Sequence, residues 1–127
     1  MNLEPKAAEE KYYFATVEED DLRALTEILD SIVCVFREEE ALTVVFSEDV
    51  KADIEESSEE DIQGPFAMIT MTVQTDLNAI GILAKITAEL AKEKIAVNAF
   101  SAYHHDHIFV PYDKKDAAVA LIKPLSF

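Results

Sequence analysis

Phe66-Ala67-Met68-Ile69-Thr70-Met71-Thr72-Val73 is an apolar run with threonines interleaved, and Gly64-Pro65 stands directly in front of it. Such a run behind a Gly-Pro pair predicts a buried or half-buried strand. Thr75-Asp76-Leu77-Asn78 follows, and Thr75, Asp76 and Asn78 are all helix-capping residues. Behind them Ala79, Ile82, Leu83, Ile86 and Leu90 recur at helical spacing and form one apolar stripe. Lys85, Glu89, Lys92 and Glu93 take the opposite face, with Lys85 and Glu89 one turn apart. The helix is expected to end near Lys94, because Ile95-Ala96-Val97-Asn98-Ala99-Phe100-Ser101-Ala102-Tyr103 alternates with the period of a strand. His104-His105-Asp106-His107 separates this run from a second strand, Ile108-Phe109-Val110, which Pro111 stops. Asp113 then caps a closing helix through Ile122.

The first half of the chain repeats that order. Lys11 to Val17 is aromatic and β-branched and predicts a strand. Glu18-Glu19-Asp20-Asp21 gives an acidic N-terminus to a short helix whose buried stripe would be Leu22, Leu25, Ile28 and Leu29. Ile32 to Arg37 and Leu42 to Phe46 predict a hairpin with the charged tip Glu38-Glu39-Glu40-Ala41, and Glu48 to Asp53 starts a helical turn. Met1 to Glu10 reads as a loose polar lead-in, and Glu55 to Asp61 as a solvated linker. The chain is therefore expected to be α+β, a tandem of degenerate β-α-β-β-α repeats sharing one core. Its halves are residues 1–61 and 62–127, each of a size that is marginal for folding alone.

Composition narrows what such a fold can do. Half of the residues are hydrophobic, so the chain is globular. Two isolated glycines cannot build a P-loop or a dinucleotide fingerprint. The net charge of -15 lies almost wholly in residues 1–61, which hold 20 acids and 5 bases; residues 62–127 hold 6 of each. An acidic half repels phosphate, so neither nucleic acid nor an anionic membrane is an expected partner. The acids form a solvated face or a docking surface for a basic partner. Cys34, the one cysteine, lies in Ile32-Val33-Cys34-Val35-Phe36 and is expected to pack as a small hydrophobe in a reducing compartment. No run approaches the roughly 20 apolar residues of a membrane span, and Met1 to Lys11 has no apolar signal core, so a cytoplasmic location is expected.

Asn78-Ala79-Ile80-Gly81-Ile82-Leu83 at the helix start and Ile95-Ala96-Val97-Asn98-Ala99 opening the next strand resemble the ACT domain family. Its signature places a glycine and two aliphatics where the first strand meets the first helix, and an aliphatic-Asn pair at the second strand; Gly81, Ile82, Leu83, Val97 and Asn98 stand there. Ser101 to Pro111 is similar to a branch of short tandem-ACT proteins related to the cytosolic arginine sensors. The resemblance implies a ferredoxin-like fold and a non-catalytic, regulatory protein that binds a small amino acid or a related metabolite. It implies a ligand site around Asp76, Asn78, Ile80, Gly81, Ile82, Asn98, Phe100 and Ser101. ACT modules pair side by side, and the fourth strand of the fold does not follow the last helix here, so a homodimer is expected, with the other repeat or a partner chain supplying that strand. No cofactor is expected. The alternative is a structural or interaction module that has lost its ligand.

Elementary chemistry supports a site at this junction. A helix N-terminus offers unpaired N–H groups and a partial positive charge to a carboxylate, and Gly81 lets a ligand approach the backbone. Equally, Asn78 can serve only as a cap and Gly81 only for close packing. The histidine knot supplies too few converging ligands for zinc and reads as a hairpin turn built from residues that tolerate positive φ. Ser101 near three histidines lacks an oxyanion hole, so no enzyme is expected. The aromatics Phe66, Phe100, Tyr103, Phe109 and Tyr112 lack the basic residues of an RNA-stacking sheet.

Overall fold

The computed structural model describes residues 1–24 and 26–127. In chain order the strands and α-helices are β1 (Pro5–Ala7), β2 (Tyr12–Val17), α1 (Glu19–Ala24), β3 (Ile32–Arg37), β4 (Leu42–Ser47) and α2 (Lys51–Glu55), followed by β5 (Gln63–Met71), α3 (Ile82–Lys92), β6 (Asn98–Ser101), β7 (Asp106–Pro111) and α4 (Lys115–Ile122). Short 3-10 turns cover Thr26–Ser31, Glu48–Val50 and Tyr112–Lys114. The expected repeat is present: strand, helix, strand, strand, helix occurs twice, and the mixed α+β architecture is the tandem ferredoxin-like one. The residues divide into two units, Glu10–Pro65 and Met1–Glu9 with Phe66–Phe127.

In the second of these units β5 is flanked by β1 and β7, and β6 lies beyond β7, all antiparallel. Facing register pairs share a face of the sheet. Ala67 opposite Val110 and Ile69 opposite Ile108 therefore turn to one side. There they meet Ile82, Ile86 and Leu90 of α3 and Ala118 and Ile122 of α4 in one buried cluster. The i, i+4, i+8 spacing of the α3 residues is the stripe expected from the sequence, and each fully buried aliphatic contributes roughly 1.5–3 kcal/mol.

The ends of α3 differ from expectation. The helix starts at Ile82 with Gly81 as N-cap at φ 86°, rather than at the Thr75–Asn78 caps. Asp76 instead closes a turn of its own: its side chain accepts from the Asn78 N–H at 2.7 Å and its carbonyl from the Ala79 N–H at 3.0 Å. Ala79 is exposed as a result. At the other end the Ile95 N–H donates to the Leu90 carbonyl and the Lys94 N–H to the Ala91 carbonyl, with Lys94 at φ 58°. This is a Schellman cap, and buried Ile95 supplies the apolar contact to Leu90 that accompanies it.

Residues 1–9 are not a loose lead-in. Pro5, Lys6 and Ala7 pair with Met71, Thr70 and Ile69, and Leu3 is wholly buried with the helices α3 and α4. The N-terminal segment thus supplies the strand missing after α4. No partner chain is required for that edge.

In the unit Glu10–Pro65 the strand order is β3-β4-β2, antiparallel throughout. Tyr13, Ala15 and Val17 of β2 pack with Leu42, Val44 and Phe46 of β4 and with Val50 and Ile54, and the Tyr13 and Phe46 rings stack at 6.1 Å. Among the described residues, buried apolar side chains form a cluster in each unit. Leu22 and Ile28 lie against the first unit's cluster, Leu29 is exposed, and Leu25 lies outside the described residues. Cys34 is half-buried, and burial pushes its thiol above the ordinary value. The Glu38–Ala41 tip forms as expected, closed by the Glu38 N–H on the Ala41 carbonyl. Among the described residues no helix is long and apolar enough to cross a membrane.

Candidate functional site

The loop between β5 and α3 and the turn between β6 and β7 meet over one end of the sheet. Between them lies a cavity of about 90 Å³ lined by Thr75, Asp76, Leu77, Ala79, Leu83, Ser101, Ala102 and Asp106. A wider, open depression of about 460 Å³ adjoins the same loop, lined by Gln74 to Asn78 and Tyr103.

Asp106 is the unusual member. It is 8% exposed, and its carboxylate accepts from the Thr75 hydroxyl at a long 3.4 Å. An ionised carboxylate taken out of water needs compensating partners, and Lys and Arg are absent from the cavity lining. Asp76 stands in the same wall, so the lining is anionic. Leu83 of the first turn of α3 also lines the cavity, and α3 begins with no side-chain cap, leaving its first-turn N–H groups and their partial positive charge without a side-chain acceptor. A small molecule carrying an ammonium at one end and a carboxylate at the other matches this polarity.

The expected site residues divide. Asp76 and Ser101 line the cavity, and Asp76 and Asn78 line the depression. Gly81 and Ile82 are at the start of α3, where Ile82 is buried in the core and Gly81 has open space around the place of a Cβ. Close helix–sheet packing is therefore not why glycine stands at 81; its positive φ is. Ile80 is 96% exposed. The pairing of β6 with β7 decides the remaining two. Ser101 faces Asp106, whereas Asn98 faces Phe109 and Phe100 faces His107, so Asn98 and Phe100 lie on the sheet face opposite Ser101 and Asp106. Phe100 packs edge-on against Phe109 at 5.6 Å. Thr75, Leu77, Ala79, Leu83, Ala102 and Asp106 line the cavity as well and are not among the expected site residues. One signal was present: Asp106, Ile108 and Val110 alternate, which puts an acid in line with two core residues.

The histidine knot is a turn, but not the expected one. Ala102 to His105 form it, closed by the Ala102 N–H on the His105 carbonyl at 3.0 Å, while Asp106 and His107 belong to β7. None of these residues adopts positive φ. Among the described residues no three His, Cys, Asp or Glu side chains converge on a metal position. His107 Nδ1 is 2.9 Å from the Thr70 hydroxyl.

Two family models described as ACT domain match the chain, over residues 1–59 and 61–123. The chain belongs to the ACT domain family. Its tandem ACT fold superposes on a protein of unknown function from Vibrio cholerae with a TM-score of 0.76 and 31% identity, over 98% of this chain and 91% of that one. It superposes on the ligand-free regulatory subunit of aspartate kinase from Thermus thermophilus at 0.72, with 9% identity, over 97% and 96% of the two chains. The aspartate kinase of Clostridium acetobutylicum gives 0.72 at 17% identity, with 94% of this chain covering 33% of that enzyme. No curated protein matches the chain.

In this ACT protein burial pushes the His107 imidazole below its ordinary 6.5, His105 adds to the effect, and Asp106 opposes it. The folded state therefore holds fewer protons at this site than the unfolded chain does. Stability from this group is present above pH 6.5 and is lost as pH falls toward the lower folded value. We expect the melting temperature to fall between pH 7.5 and 5.5, and the fall to be smaller in His107→Gln. An equal fall in both proteins, measured by calorimetry, would remove His107 as the cause.

Proposed function

We propose that this ACT protein is a non-catalytic, cytoplasmic regulator that binds a small amino acid or related metabolite between the β5–α3 loop and the β6–β7 turn. The observation that carries this reading is the buried Asp106 carboxylate on a cavity beside the uncapped start of α3. The ligand ammonium meets Asp106 and Asp76, its carboxylate meets the helix N-terminus, and Thr75 and Ser101 hydroxyls complete the polar wall. Asn78 and Gly81 shape the loop that presents these groups. The fold relation to a regulatory subunit of aspartate kinase supports a regulatory rather than catalytic role.

A thermal-shift screen of the amino acids at millimolar concentration tests it. A ligand at 100 times its Kd adds about 2.7 kcal/mol of stability. If every amino acid leaves the melting temperature unchanged, the reading fails.

The same region supports self-association. Leu77 and Tyr103, which line the depression, and Ile80 are exposed apolar side chains that a second copy could cover. We expect a homodimer by light scattering at tens of micromolar, converted to monomer by Ile80→Lys. A wild-type monomer would refute it.

A further inference from the structure

The apolar surface of the other unit lies elsewhere. β3 pairs with β4 on one side and stands last in the strand order. Val33 and Val35 are 45% and 44% exposed and Phe36 is 60% exposed. The register places Val35 on the face of Val44 and Phe36 on the face of Thr43, so β3 offers apolar groups on both sides of its edge. Soluble proteins protect such edges with charge, proline or a bulge. Here the irregularity falls between Ile32 and Cys34, at one end, and leaves Cys34 to Arg37 in regular register. Arg37, the one base on the strand, is held by Glu19. Another strand complements the unpaired backbone of an edge strand, and apolar side chains on it match the exposed valines and phenylalanine.

Charge selects which strand. Residues 10–65 carry 18 acids and 4 bases. Glu38, Glu39 and Glu40 stand exposed at one end of β3, and Glu27 and Asp30 at the other. A second copy paired antiparallel at this edge would set the Glu38–Glu40 tip of each chain against Glu27 and Asp30 of its mate. The exposed like charges repel at this range. We propose that the outer edge of β3 docks an extended segment of a partner protein, apolar at alternate positions and carrying Lys or Arg at both ends. The segment adds one strand beside β3; its valine-sized side chains cover Val35 on one face, the β-branched threonine-sized ones lie along Phe36 on the other, and its bases meet the two acidic ends. This inference does not rest on the amino-acid site, which lies in the other unit.

The test uses the full chain and two synthetic peptides of ~10 residues, enough to span the strand. Both have a core of alternating valine and threonine; one has lysine pairs at its ends and the other glutamate pairs. With the lysine peptide, amide resonances of Val33 to Arg37 are expected to shift saturably. Its affinity should exceed that of the glutamate peptide by at least about tenfold and fall as salt rises. Phe36→Lys and Val35→Lys, at positions exposed enough to leave the fold intact, should each weaken it at least about tenfold. Absence of saturable binding, equal binding of both peptides, or shifts confined to other residues would overturn the proposal. So would a peptide-free dimer that Val35→Lys abolishes, since the edge would then belong to a second copy.

Discussion

Leu3→Ala is expected to destabilise the folded protein by about 2–5 kcal/mol, the range for a fully buried leucine truncated in a core. Leu3 has no exposed surface and lies in the cluster built by α3, α4, β5 and β7. Its neighbours are tied to the sheet: the Val73 N–H donates to the Leu3 carbonyl at 3.3 Å and the Thr72 hydroxyl to the Glu4 carbonyl at 2.6 Å. At this chain length each kcal/mol corresponds to roughly 4 °C, so calorimetry should show a fall of at least several degrees. Deleting residues 1–8 removes the whole strand beside β5 and should leave the C-terminal unit unfolded or aggregating. A Leu3→Ala protein melting within a degree of wild type would show that β1 is not part of the cooperative unit.

Asp106→Asn separates binding from stability. The substitution replaces a buried carboxyl group whose described side-chain contact is one long hydrogen bond, so the melting temperature should stay the same or rise. Binding of an ammonium-bearing ligand should weaken by about 2–5 kcal/mol, the usual loss when one partner of a buried charged pair is truncated. Asn98→Ala, on the opposite face of the sheet, should change affinity little. Titration calorimetry with the amino acid found by thermal shift distinguishes the outcomes. If Asp106→Asn binds like wild type while Asn98→Ala does not, the ligand sits on the sheet face that carries Asn98, and Asp106 is buried for another reason.

Much of the architecture was legible in the chain itself. The period of 3.6 in Ile82, Ile86 and Leu90 and the alternation in Phe66 to Met71 are local consequences of which side chains must leave water, so they appear before any tertiary contact is known. The repeat of one element order across both halves followed from the same patterns, and with it the family. Three features required the folded molecule. The fourth strand of the C-terminal unit comes from residues 5–7, far away in sequence, because the free side of β5 takes whichever extended segment can reach it and bury a leucine. The start of α3 moved to Ile82 because Asp76 closes its own turn, a competition between side chain and backbone that spacing alone does not resolve. The site was divided by register: Ser101 joined Asp106 and parted from Asn98 and Phe100, because a strand turns neighbouring side chains to opposite faces. Composition and periodicity report which residues seek burial. Which strand meets which, and hence which polar groups share a cavity, is set by pairing between distant segments, and only the tertiary structure decides that.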